Sequence, residues 1–352
     1  MASRLLKASR TEQGFKAKLA LSDFPTFAEA AMPVRRQDAL LSEMRLPLRQ
    51  TFFPLGYAVE ILTNDAGVLA AAQESFGHRT QARATTALRV RVGVHPGSRS
   101  ASPAEPSRHQ YNHLYSLVAD GENQALLDLH SRTNFVWVTE QVMQHPLYFR
   151  YTFLEKVTYL LLGASVVTDI HGACVSKNGR GILLSGKSGA GKSTLAYGCA
   201  RSGWTYTSDD TSYLINDSAI PRVIGHAHRV RFRPAARELF PELKEHVQTP
   251  RLEGKPSIEV PISDLPVSST ENEAAVHAVV FLQRHTAAKA KLVPLPRGTA
   301  TTRFREELYS VGEIRARHAT MLEVLADVPA YELHYRGLLD GIETLEQLTA
   351  ML

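Results

Sequence analysis

A chain of 352 residues is long enough for one large or two ordinary domains, and 44% hydrophobic with 21% charged residues is ordinary globular composition. A net charge of +5 and a pI near 9.1 suit the handling of anions such as nucleotides without singling out nucleic acid. With only Cys174 and Cys199 and no CxxC pair, a disulfide scaffold is excluded and a reducing compartment is expected.

The opening segment MASRLLKASRTEQGFKAK lacks the apolar core of a signal peptide. The longest mainly apolar run, Tyr159 to Val167, is about half of a bilayer span. A cytoplasmic, soluble protein is expected, with neither membrane nor nucleic acid as a partner.

In chain order, residues 1–44 read as a partly ordered extension with one apolar cluster at Phe24 to Ala31. Residues 45–140 read as a small α/β module without a catalytic constellation. Within it a strand is expected over Tyr57 to Leu62, and Asp65 should cap a helix running to about Phe76. Leu88 to Val94 alternates as a half-buried strand, and Pro96 to Gln110, rich in Pro and Ser, reads as an exposed loop. Further strands are expected at His113 to Val118 and Asn134 to Val138.

Residues 141–352 form the predicted catalytic domain. Gln144 to Leu162 shows helical character, with Phe149, Phe153, Val157 and Leu161 recurring at fours. Val166 to Val175 follows, and Ala173 to Ser176 should pair with Gly181 to Ser185 across an Asn178-Gly179 hairpin turn. Arg229 to Arg233 reads as a strand with three arginines on one face, Ala274 to Leu282 as an apolar strand, and the chain from Thr301 as helical. The last helix, Leu338 to Leu352, should place Leu339, Ile342, Leu345 and Leu348 on one stripe.

The chemistry centres on Gly186-Lys187-Ser188-Gly189-Ala190-Gly191-Lys192-Ser193, which satisfies G-x-x-x-x-G-K-[ST] at every fixed position. Glycines let successive backbone N–H groups point at phosphate oxygens, and the helix beyond them favours anions at its start. Lys192 would reach the β/γ-phosphates and the Ser193 hydroxyl would ligate Mg²⁺. The context required is present: Ile182-Leu183-Leu184 reads as a strand before the loop, and Leu195, Ala196, Cys199 and Ala200 fall at helical spacing after it. With Thr194 added, residues 186–194 are the nucleotide-binding candidates.

Many nucleotide hydrolases carry a second acid at the end of a distant apolar strand. Here Val279 to Leu282 ends in Gln283-Arg284, with no acid. The acids instead come directly after the loop helix, as Asp209-Asp210. Adjacent strand residues face opposite ways, so one would hold Mg²⁺ and the other orient an acceptor hydroxyl. His171 alone reads more often as a structural histidine than as a catalytic one. Arg229 to Arg233 would either neutralise phosphate or form a solvated basic face.

The order His171-Gly172, hairpin, GKSGAGKS, helix, Ser208-Asp209-Asp210 resembles the catalytic domain of the bacterial HPr kinase/phosphorylase family over about Ile170 to Asp210. The resemblance implies an α/β P-loop kinase fold of the phosphoenolpyruvate-carboxykinase-like type, with ATP and Mg²⁺ as cofactors and phosphorylation of a serine hydroxyl. It further implies Asp209 as base, Asp210 with Ser193 as metal ligands, and His171 and Lys192 beside the transferred phosphate. Thr194 stands where the family carries a glutamate, and the chain is more similar to the looser HPr-kinase-related proteins than to HPr kinase itself. The leading expectation is therefore a kinase acting on a serine of a protein or peptide, with a homo-oligomer left open. A small-molecule kinase and a non-catalytic nucleotide-sensing module are the alternatives.

Overall fold

The computed structural model describes residues 44–84, 87–97, 104–249, 256–284 and 289–352. Apart from Met44, the expected N-terminal extension lies outside the described residues.

The first sheet has seven strands. Val59–Thr63 and Thr133–Thr139 run parallel to Leu88–His95 between them, and the other neighbours are antiparallel. The helix Ala66–Phe76 begins where Asp65 accepts a hydrogen bond from the Gly67 N–H at 2.7 Å, as its sequence predicts. The expected exposed loop over Pro96 to Gln110 is corrected in its last part: Ser107–Tyr111 is a strand at one edge of this sheet, paired with Leu114–Val118. The strand Gln124–Asp128, which sequence reasoning passed over, lies between Leu114–Val118 and Thr133–Thr139. Its Asp128 closes the next turn by accepting from the His130 and Ser131 N–H groups.

Phe149, Phe153, Val157 and Leu161 are all fully buried, so the fourfold recurrence marks a core face. The helix is not uniform, however. Phe149–Leu154 is a π-helical segment leading into the α-helix Glu155–Gly163. These side chains join one apolar cluster with Val59, Ile61, Val90 and Val92 of the first sheet and Tyr213 and Ile215 of the second.

The second sheet is mixed, with ten strands. Arg180–Ser185 lies between Gly172–Lys177, antiparallel, and Glu273–Arg284, parallel, which in turn pairs in parallel with Ala330–Tyr335. Asn178 and Gly179 both take positive φ, 53° and 76°, in the two-residue turn that sets the register Lys177 opposite Arg180. Thr205–Ser208 flanks Gly172–Lys177 on its other side. The twelve residues of Glu273–Arg284 tie the sheet together. Their first part pairs with Arg222–Ile224, beyond which lie Ser212–Ile215 and Val167–Ile170. Val167–Ile170 and Gly172–Lys177 are separate strands, and at His171 between them the chain leaves one part of the sheet for the other.

Helices cover this sheet on two faces. On one, Leu195, Ala196 and Cys199 of the helix Lys192–Arg201 pack with Ile342, Leu345 and Leu348 of the helix Leu338–Met351. On the other lie Ala300, Phe304, Leu322 and Leu325. The expected C-terminal stripe is right for Ile342, Leu345 and Leu348, but Leu339 is 71% exposed, and Leu338 points at Gly198 instead. The helical region expected from Thr301 is interrupted by the strand Ala330–Tyr335, in which Ala330, Leu333 and Tyr335 are buried.

Arg229 is not on a solvated face. It lies between Glu155, 3.2 Å away on the helix, and Glu259, 2.7 Å away on the strand Ile258–Pro261 that pairs with Arg229–Phe232. The two carboxylates hold its guanidinium well above the ordinary arginine pKa despite its burial. Glu155→Gln should cost on the order of 2–3 kcal/mol, because it leaves a buried cation with one partner fewer. A shift of the denaturation midpoint in urea checks this.

Candidate functional site

Three chain segments end on one side of the central sheet. Arg180–Ser185 and Thr205–Ser208 present their carboxyl ends there, and the antiparallel Gly172–Lys177 presents its amino end. Adjoining these ends are the loop Gly186–Gly191, the pair Asp209-Asp210, and His171. Crevices outside strand ends are where α/β sheets place ligands, since the backbone there is free to turn towards one. Glu273–Arg284 adds Arg284 at the same edge.

The loop passes into the helix Lys192–Arg201 through Gly191, at φ 100°. A Cβ there would stand 2.3 Å from the Tyr335 hydroxyl, so both conformation and space require glycine. That hydroxyl donates to the Ala190 carbonyl at 2.8 Å and fastens the loop to the strand Ala330–Tyr335. Nothing in the sequence marked Tyr335 for this task, because its contact is made across 145 residues.

Lys192 is 7% exposed, and its ammonium donates to the Gly186 carbonyl at 2.7 Å. Among the described residues it makes no ion pair. Burial lowers its pKa, opposed most by Asp210 and Glu307. A buried ammonium whose one partner is a neutral carbonyl is short of a counter-ion, and this is the condition that a phosphate would satisfy. The Ser193 hydroxyl donates to the Asp209 carbonyl at 3.3 Å, which links the start of the loop helix to the Asp pair.

The two aspartates differ in surroundings. Asp209 is 7% exposed, and its Oδ2 accepts from the Arg231 N–H at 2.8 Å. Burial, then the neighbouring Asp210, pushes its pKa from 3.8 up to about 6, against the Arg231 N–H bond. Asp210 is half-exposed, with one oxygen 3.7 Å from His171 Nδ1 and the other 4.0 Å from the Arg231 guanidinium. Burial and Lys192 hold His171 below the ordinary histidine pKa, so at neutral pH the ring is uncharged.

Two cavities meet at this pair. The smaller, about 550 Å³, is lined by His171, the loop residues Ser188 and Gly189, Lys192, Ser193 and Asp210. Thr194 and three arginines, Arg231, Arg233 and Arg284, complete its polar wall. The larger, about 690 Å³, is lined by both Asp209 and Asp210, together with Tyr159, Tyr213 and Arg231. Asp210 and Arg231 border both spaces, whereas Asp209 faces only the larger.

The structure thus brings His171, Ser188, Gly189, Gly191, Lys192, Ser193, Thr194 and Asp210 to one cavity, with Asp209 adjoining it. Gly186, Lys187 and Ala190 shape the loop: the Gly186 carbonyl receives Lys192, and the Lys187 carbonyl accepts from the Ala190 N–H at 3.0 Å. Sequence reasoning missed Arg284 and Glu307. The first is the residue that ends a strand noticed only for lacking an acid, and the second acts on both Lys192 and His171 from the end of the helix Thr299–Glu306.

The aromatic contacts explain how the arginine strand is held. Tyr197 of the loop helix meets Phe232 and Phe240 edge-on, with ring centroids 5.0 and 4.7 Å apart. Such pairs add about 0.5–1.5 kcal/mol each beyond their buried area. They fix Arg231 and Arg233 opposite the loop. Among the described residues no cluster of three or more His, Cys, Asp or Glu side chains is placed to hold a metal, and no helix is long and apolar enough to cross a membrane.

No family model matches the chain, and no curated protein matches it. Among solved structures it is similar to the HPr(Ser) kinase/phosphatase from Coxiella burnetii, at 10% identity and a TM-score of 0.29, covering 52% of this chain and 93% of that one. A likeness of that degree is too distant to assign an activity, so the functional reading rests on the geometry of the site.

Proposed function

We propose that the chain is an ATP- and Mg²⁺-dependent kinase that transfers the γ-phosphoryl group to a hydroxyl, that of a serine in a protein or peptide. The observation that supports this most is the Asp pair standing between two cavities, one walled by the loop Gly186–Gly191 and the other, of about 690 Å³, roomy enough for an acceptor. A hydrolase would need only the first.

When bound, ATP supplies the phosphoryl group and Mg²⁺ offsets charge on its oxygens. The residues present fit both. The backbone of residues 186–191 would face the phosphates, and Lys192 would give its ammonium to them in place of the Gly186 carbonyl. Ser193 and Asp210 supply two oxygen ligands, few enough to suit a cation that keeps waters and binds phosphate. Arg233 and Arg284 would stabilise charge on the far side of the cavity. Asp209, facing the acceptor space with a pKa near 6, would take the proton of the attacking hydroxyl. Neutral His171 would donate a hydrogen bond beside Asp210.

Calorimetry with ATP·Mg²⁺ on wild type and Asp210→Asn, then transfer of labelled phosphate to serine peptides, tests the proposal. Metal-dependent binding weakened at least tenfold in the variant, with label on serine in wild type, is expected. Binding indifferent to both Mg²⁺ and Asp210, without transfer, would mean a nucleotide sensor instead.

A further inference from the structure

The larger cavity has a chemistry of its own, and its walls include the one part of the chain to which the sequence assigned no task. Arg108, His109 and Gln110 line it from the strand Ser107–Tyr111, and Tyr115 from the next strand. Lys156, Tyr159, Leu160 and Gly163 line it from one face of the helix Glu155–Gly163, at the i, i+3, i+4, i+7 spacing of a single stripe. Asp209 and Asp210 lie on the side shared with the loop cavity.

Most charges in this cavity are already matched. Arg229 is bound by Glu155 and Glu259, and Arg231 lies 3.8 Å from Glu259. Among the lysines and arginines that line it, Lys156 is the exception. It is half-buried and, among the described residues, has no hydrogen bond or ion pair. Burial lowers its pKa, and the other group acting on it is a second cation, Arg108. An ammonium partly removed from water beside another cation is stabilised by an anion that enters with the ligand.

The strand Ser107–Tyr111 also ends the seven-stranded order, so one side of its backbone has no partner strand among the described residues. An exposed edge accepts an extended peptide through main-chain hydrogen bonds, and Tyr115, Tyr159 and Tyr213 line the adjoining cavity with the residue type that peptide-binding surfaces favour. A small hydroxy acid would satisfy Lys156 but leave this edge unused.

We propose that the acceptor is an extended acidic peptide segment, laid along the edge strand Ser107–Tyr111 with its serine hydroxyl at Asp209 and a neighbouring Asp or Glu side chain paired with Lys156. This rests on the kinase proposal above. The serine Oγ forms the new bond to phosphorus as the bond from phosphorus to the bridging oxygen of ATP breaks; the hydroxyl proton goes to Asp209 and ADP departs. The N-terminal sheet is then the part of the enzyme that reads sequence around the serine.

The test uses the full chain and paired serine peptides that differ only in having Asp/Glu or Ala at positions flanking the serine. Wild type should favour the acidic peptides at least tenfold in kcat/KM, chiefly through KM. Lys156→Met should remove the preference, Lys156→Arg should restore it, and Lys156→Glu should favour Lys-flanked peptides. ATP·Mg²⁺ binding measured in parallel reports whether each variant is folded. Transfer by wild type to acidic and neutral peptides alike, or a preference that survives Lys156→Met, overturns this proposal and leaves the kinase assignment standing. Label appearing on small hydroxy acids and on no peptide overturns it too. ATP binding with no transfer to any hydroxyl overturns both.

Discussion

Lys192→Ala should abolish phosphoryl transfer and weaken ATP·Mg²⁺ binding while leaving the fold intact. Lys192 is 7% exposed, lacks an ion pair among the described residues, and has its ammonium held by one neutral carbonyl. A charge kept in that state contributes little to the folded chain, so its removal should not lower the unfolding temperature and can raise it slightly. The reverse should hold in the proposed nucleotide complex, where the same ammonium would meet negative oxygens. Losing one preorganised donor of this kind costs on the order of 10²–10³ in rate. Lys192→Arg tests geometry rather than charge, because a planar, forked guanidinium replaces the compact ammonium that donates to the Gly186 carbonyl, and it too should be inactive. The checks are calorimetry for binding, single-turnover transfer for rate, and thermal unfolding without nucleotide. Unchanged transfer in Lys192→Ala would mean that the loop does not hold the phosphates.

The local features that the sequence disclosed are those dictated by short-range chemistry. The Asp65 cap, the Asn178-Gly179 turn and the loop itself depend on residues within a few positions of each other, and each appears where expected. The apolar recurrence Phe149, Phe153, Val157, Leu161 likewise exposed a core face. What stayed hidden involves distance along the chain. The edge strand Ser107–Tyr111 is mostly exposed and lacks alternation, so its partner rather than its composition makes it a strand. Tyr335, Arg284 and Glu307 reach the site from elements 90 or more residues beyond the loop, and no local pattern distinguishes them from ordinary polar positions. Arg229 shows the same limit from the other side. It shares a strand face with Arg231, yet Glu155 and Glu259, from two separate elements, enclose it in a buried ion pair. The second cavity is the largest such case, since the residues that line it run from Arg108 to His318.

Asp209→Asn should lose transfer and gain stability, a combination that separates a catalytic carboxylate from a structural one. Burial and Asp210 raise the Asp209 pKa from 3.8 to about 6, so folding disfavours its charged form. A carboxyl whose pKa is raised on folding contributes its stability in the protonated state, below pH 4, and that contribution is lost as pH rises through about 6. At pH 7.5 the wild type therefore holds an unfavourable buried charge that asparagine lacks. The Asn side-chain oxygen can still accept from the Arg231 N–H, so the strand contact survives. Asp209→Asn should be more stable than wild type by on the order of 1–3 kcal/mol at pH 7.5, with the gap closing as pH falls towards 4. Over the same range wild-type kcat/KM should rise with pH through about 6 as Asp209 gives up its proton, and residual activity of the variant should lack that limb. The loss in transfer should be about 10²–10⁴-fold, the usual worth of a positioned base, with ATP·Mg²⁺ affinity within a few-fold of wild type. A variant that is less stable at pH 7.5 and equally active would place Asp209 among the residues that merely hold Arg231 in position, and the base would have to be sought at Asp210.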